Sequence, residues 1–227
     1  KNKFNKIFSE IAERLGLSYK RSNFKLEYKP KSKNSLSVQL IAYKSGKSEN
    51  LYLNIKADRI FPINCSLIDK DKLSEIVKAN RTDRIFTGDS KFDNTVIINN
   101  SNEKEVTAML DNRTRNLIMK MIRHLTNFTI SENKINACIQ PNINEEEYPV
   151  SNIYDEYISN ILWIITNMIK LAEHLLKQYS IEMLLINTVK DINPHTRKKN
   201  LEILLKYYKE KKVTKKAVLN ALNDNNT

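Results

Sequence analysis

The chain is poor in glycine, with three in 227 residues. That scarcity excludes the Gly-rich loops that cradle phosphates, and neither GxxxxGK[ST] nor GxGxxG occurs. Each glycine has a structural task instead. Gly16 follows Leu15 as a helix C-cap, Gly46 sits in a polar turn, and Gly88 opens an acidic one. Cysteine is nearly absent as well. Cys65 and Cys138 form no CxxC pair and read as two buried free thiols rather than a disulfide. His124, His174 and His195 fall in separate elements without ligand spacing, so no metal and no cofactor is expected. Long hydrophobic runs are also missing. The stretch Ile158–Ala172 is too short to span a bilayer and is interrupted by Asn160, Asn167 and Lys170. No signal peptide is visible. The chain starts at Lys1 without Met, which leaves room for a native segment ahead of it.

Positive charge is plentiful, at a net +12, and unevenly placed. Residues 1–60 carry 14 basic and 5 acidic side chains, residues 61–190 carry 15 and 17, and residues 191–227 carry 9 and 4. Both ends are basic and the middle is close to neutral. Such ends suit nucleic acid, an anionic lipid surface or an acidic protein partner. Apolar content of 41% with 28% charged residues is that of a globular chain with a real core.

Periodicity predicts an α+β fold, with antiparallel sheet elements packed on helices. Phe4, Ile7, Phe8, Ile11 and Leu15 share one helical face that ends at Gly16. Three alternating runs follow, Phe24/Leu26/Tyr28, Leu36/Val38/Leu40/Ala42 and Leu51/Leu53/Ile55, the last two joined through a turn at Lys44–Asn50. A short helix is expected over Leu67–Lys78, capped by Asp69 or Asp71. A strand is expected at Val96–Ile98, then a helical region from Glu103 to Leu125. A second hairpin is expected around Ser131-Glu132-Asn133. Pro141–Pro149 reads as an acidic linker and Ile153–Tyr179 as a long, largely apolar helix. Residues 1–179 thus form one α+β domain. Residues 180–227 form a tail of three short helices, capped by Ser180, by Asn193 with Pro194, and by Thr214, packed on that domain like a HEAT-type hairpin.

Chemistry-bearing residues concentrate in Gly88-Asp89-Ser90-Lys91-Phe92-Asp93. The glycine permits a positive-φ turn, Phe92 can enter the core, and the two carboxylates can hold backbone N–H groups. Asp89 and Asp93 are therefore read as structural rather than catalytic, and no catalytic residue is assigned. If Val106–Leu125 is one helix, Arg113 falls in the apolar stripe with Val106, Leu110, Leu117 and Met121, and a buried guanidinium needs Asp89 or Asp93 as partner. If instead Asp111 breaks the helix and caps a new one, Arg113 lies in an exposed first turn. Candidate anion contacts are Lys20, Arg21, Lys25, Lys29, Lys31 and Lys33 near the start, and Arg197, Lys198 and Lys199 in the tail. On strands and helices such lysines are first of all a solvated face.

Taken together, Ala12 with Leu15-Gly16-Leu17, Gly88-Asp89 with Phe92-Asp93, Leu110 with Arg113, and Asp191, Arg197 and Leu201 in the tail carry a resemblance. The pattern is similar to a family of uncharacterised bacterial proteins, often membrane-anchored, with a Gly-Asp-x-x-Phe-Asp turn and a HEAT-like C-terminal tail. The resemblance implies no catalytic residues. It implies a non-enzymatic binding or scaffold module, the soluble part of a membrane-anchored protein; from the charge distribution, its basic N-terminal region is expected to face an anionic membrane surface, or else an acidic protein partner. Free cysteines and basic ends favour the cytoplasmic face. The alternative is a nucleic-acid-binding protein that uses both basic ends.

Overall fold

The computed structural model describes residues 2–17, 19, 25–30, 36–45, 48–73, 84–99, 103–139, 151–178 and 180–222. Eight strands form one antiparallel sheet in the order β1-β2-β3-β8-β7-β4-β6-β5. They are β1 (Lys25–Tyr28), β2 (Leu36–Ser45), β3 (Ser48–Ala57), β4 (Cys65–Asp69), β5 (Arg84–Ile85), β6 (Val96–Asn99), β7 (Leu125–Ser131) and β8 (Lys134–Ile139). The α+β expectation is met. The register follows the period-2 pattern: Leu40 opposite Leu53 opposite Ala137, and Val38 opposite Ile55 opposite Ile135, put one apolar face inward. The hairpin β2–β3 pairs out to Ser45 and Ser48, so its turn is tighter than the Lys44–Asn50 loop expected.

Helices cover the apolar face. In α1 (Asn2–Arg14) Phe4, Ile7, Phe8 and Ile11 are buried. Its end is closed by Gly16 at φ +67°, with Gly16 N–H donating to Glu13 and Leu17 N–H to Ala12, the two bonds of a Schellman cap. The long α5 (Ser151–Leu175) buries Ile158, Ile161, Ile165, Met168, Ala172 and Leu175 in one stripe against β3, β8 and α1. Three helices end the described chain: α6 (Ile181–Lys190), α7 (Pro194–Tyr208) and α8 (Lys212–Leu222). Ser180 and Asn193 cap the first two as expected. Thr214 does not cap the third. The helix begins at Lys212, and the Thr214 hydroxyl is buried without a partner among the described residues.

Two further expectations are corrected. Leu67 is not in a helix: Cys65, Leu67 and Asp69 are buried while Ser66 and Ile68 are half-buried, which is strand alternation. Only one turn, Lys70–Lys72, follows, capped by Asp69, and residues 74–78 lie outside the described residues. Nor is 103–125 one helix. It divides into α3 (Glu103–Met109) and α4 (Asn112–Met121), because Asp111 takes an extended conformation and its side chain caps Thr114 N–H. The linker Pro141–Pro149 and Phe24 also lie outside the described residues.

Candidate functional site

The acidic turn is built from its own backbone. Gly88 adopts φ +84°, a dihedral that favours glycine, and a Cβ there would lie 3.2 Å from His195 Cβ, close enough that α7 would have to give slightly. Asp89 caps α2 (Ser90–Thr95) by accepting from Lys91 N–H and Phe92 N–H at 3.1 and 3.2 Å. Asp93 is buried. It accepts from Thr87 N–H (3.0 Å), the Thr87 hydroxyl (2.9 Å) and Gly88 N–H (3.0 Å). Phe92 is fully buried beneath them. Both carboxylates hold backbone N–H groups, and a short helix lies inside the turn.

The partner of Asp89 is not Arg113. Because Asp111 resets the helical phase, Arg113 points into solvent, and the side chains facing inward from α4 are Thr114, Arg115, Ile118 and Met121. Arg115 is completely buried. Its Nε donates to Asp89 at 2.9 Å, Nη2 to Asp191 at 3.1 Å, and Nη1 to Thr196 Oγ1 at 3.0 Å and to the Leu110 carbonyl. One guanidinium therefore ties the turn, the start of α4 and the α6–α7 connection together. A planar fork of five donors is what such a junction needs.

Asp191 is 5% exposed and saturated: beside Arg115 it accepts from Asn112 N–H (2.7 Å) and Asn193 N–H (2.8 Å). Asn193 Nδ2 donates to the Thr87 carbonyl at 2.8 Å, and Asn200 Nδ2 to the Ala108 carbonyl at 2.9 Å. A second buried cluster adjoins. Asp111 Oδ2 lies 2.8 Å from His174 Nε2, which is 2.9 Å from Gln178 Nε2, and Gln178 Oε1 accepts from Asn187 at 2.9 Å. Burial pushes the Asp111 carboxyl up. The His174 contact, the Thr114 N–H and Gln178 outweigh it and bring the pKa down to about 2. Burial pushes the Cys65 thiol up to about 12 and raises that of Cys138.

These carboxylates are all occupied inward, and the arrangement does what a polar joint does. Among the described residues no group of three His, Cys, Asp or Glu side chains could hold a metal ion.

Of the anion candidates, Lys20, Arg21, Lys31 and Lys33 lie outside the described residues. Lys25 is ion-paired with Glu27 at 2.8 Å, and Lys29 is exposed. Arg197 is a correction: half-buried, it donates to the Asp191 carbonyl at 3.0 Å and so closes the end of α6. Lys199 pairs with Glu202 at 3.2 Å, while Lys198 is exposed. What the sequence reading missed is Arg115 and its pairing with Asp191, and the phase set by Asp111 is the signal that leads to it.

No family model matches the chain, and no curated protein matches it. Among solved structures, the crystal structure of the mycobacterial trehalose monomycolate transport factor A, TtfA, matches at a TM-score of 0.38 and 7% identity, over 74% of this chain and 97% of that one. A likeness at that level carries no functional argument.

Proposed function

We propose that the chain is a non-enzymatic binding module held at a membrane, and that its C-terminal helices meet anionic lipid headgroups. In this reading residues 1–179 are the α+β unit and residues 180–227 the helical surface carried on it. The supporting observation is the outer face of α8 and the end of α7. There Lys206, Lys209, Lys211, Lys212, Lys215 and Lys216 are exposed beside Leu205, Tyr207, Val213 and Leu219, the last at 62% exposure. Lysines interleaved with exposed apolar side chains suit the boundary between headgroups and acyl chains. Near an anionic surface each lysine contributes about 1 kcal/mol. Among the described residues no helix is long and apolar enough to cross a membrane.

The test is co-sedimentation with phosphatidylserine vesicles against phosphatidylcholine vesicles, at low and high salt. Binding to the anionic vesicles alone, lost at high salt, is expected. Lys212→Glu, Lys215→Glu and Lys216→Glu together should weaken it by about a hundredfold or more. Equal binding to both vesicles, or none, would overturn the reading. Salt-sensitive binding of single-stranded DNA without vesicle binding would move nucleic acid to the front.

A further inference from the structure

The sheet has a second face, and it is not an ordinary wet one. Opposite the apolar side, one cross-strand row runs through Gln39, Asn54, Asn136, Thr129, Ser66 and Asn99, each aligned with the next in the register of β2, β3, β8, β7, β4 and β6. Glu27 on β1 and Arg84 on β5 end the row. All six side chains are half-buried, neutral, and able to hydrogen-bond. The row's two charges, Glu27 and Arg84, stand at its ends, Gln39 donates to Glu27 at 3.2 Å, and the six residues between the ends are neutral. Asn54, Ser66 and Asn99 have no side-chain partner among the described residues. The row's internal contact, Asn136 to Thr129, is long at 3.5 Å. The neighbouring row, Ile41, Tyr52, Cys138 and Thr126, is uncharged too, and Tyr52 there is half-exposed.

Toward β4 and β6 the face deepens into a groove of about 470 Å³ floored by Ser66, Ile68, Asn99, Thr126 and Thr129. A bulge in β7, with Asn127 at φ +50°, and Lys72, held by the Leu125 carbonyl at 2.8 Å, form its walls.

We propose that this face docks an extended, neutral glycan chain. Amides and hydroxyls donate and accept in the same way as sugar hydroxyls, and their density without charge matches a neutral polyhydroxy partner. Strands lie about 4.8 Å apart, so the six residues span about 24 Å, roughly one sugar per strand in an extended chain. A polyanion would call for cations within the row, but Arg84 stands only at its end, Lys72 in the groove wall is held by the Leu125 carbonyl, and Lys56 and Lys134, directly opposed, lie on the outer row with Ser37 and Ser131. A peptide adds at a sheet edge through its backbone rather than across a face.

The experiment is a ¹⁵N-detected titration of the full chain with cellohexaose and chitohexaose. Progressive shifts of the side-chain NH₂ signals of Gln39, Asn54, Asn136 and Asn99 are expected with at least one of them. Asn54→Ala with Asn136→Ala should weaken binding at least tenfold, whereas the Lys212/Lys215/Lys216 variant should bind the sugar unchanged, which separates this surface from the lipid-facing one. Gln39→Ala with Asn99→Ala serves as a second pair should the first not fold. Unmoved amides at millimolar concentrations of both sugars would overturn the proposal.

Discussion

Replacing Arg115 by methionine keeps a side chain of similar volume but removes the guanidinium that Asp89 and Asp191 share. Asp89 retains 16% side-chain exposure and can draw water, but Asp191 retains 1% and cannot. The Leu110 carbonyl and the Thr196 hydroxyl also lose their donor. Breaking a buried pair by deleting one partner costs about 3–5 kcal/mol. For a chain of this size that lowers Tm by about 6–20 °C. Arg115→Lys should recover only part of the loss, because one ammonium cannot reach Asp89 on one side and Asp191 on the other with fork geometry. The control is Arg113→Met, on the solvent side of the same helix, which should change stability by no more than about 0.5 kcal/mol. The assay is urea denaturation followed by circular dichroism, with Asp191→Asn and the double variant completing a cycle. A coupling of about 0.5–3 kcal/mol between positions 115 and 191 is expected. An Arg115→Met loss below about 1 kcal/mol, or one matched by Arg113→Met, would refute the reasoning.

Three further outcomes follow from the same interior. Gly16→Ala meets nothing within 4 Å and should lose only the left-handed dihedral, about 1 kcal/mol, while Gly88→Ala adds the contact with His195 and should lose measurably more by thermal melting. The folded-state pKa of Asp111 lies at about 2, below its ordinary 3.8, so its contribution is present above about pH 4 and is lost as the pH falls toward 2. That contribution is about 2 kcal/mol, and stability of Asp111→Asn plotted against pH should be flatter across that window. Cys65 is 4% exposed, so its thiol should react with Ellman's reagent in mildly alkaline buffer only on the timescale of unfolding, and fast labelling of the native protein would contradict its placement.

Strand alternation made most of the sheet legible, because one face is buried and the other is not, and a period of two then fixes the register. The caps were legible where a polar side chain stands directly before an apolar run, as at Ser180 and Asn193. Failures came where a local break competes with a longer period. Over 106–121 an unbroken helix puts Arg113 in the stripe, whereas a cap at Asp111 puts Thr114, Arg115, Ile118 and Met121 there. The capped alternative is the one the chain adopts. Leu67 misled in the other direction, since Leu67–Lys78 carries apolar residues at helical spacing but β4 needs Leu67 between β6 and β7. The polar row across the sheet could not be read at all, because strand order β3-β8-β7-β4 joins residues far apart in sequence.

Where the carboxylates sit bears on what kind of function the fold can host. Catalytic acids and bases need a lone pair or proton turned toward a cleft. Asp93 and Asp191 each accept three hydrogen bonds from the protein itself, Asp89 holds a helix start and Arg115, and Asp111 holds another helix start and His174. To act on a substrate any of them would first have to release an element of the fold. The Asn200 Oδ1 and the Thr114 hydroxyl are buried without a partner among the described residues, so the carboxylates and Arg115, all of them bonded, carry the joint. The joint therefore fixes where α6 and α7 meet the turn, and both proposals place recognition away from it: lysines and apolar side chains on α7 and α8, amides and hydroxyls on the polar sheet face. Asn200→Leu tests the division. It would strip the bond to the Ala108 carbonyl that pins α7 to α3 and lower stability by about 1–3 kcal/mol. Affinity for anionic vesicles, measured below the melting temperature, should be unchanged, because none of the exposed lysines is touched.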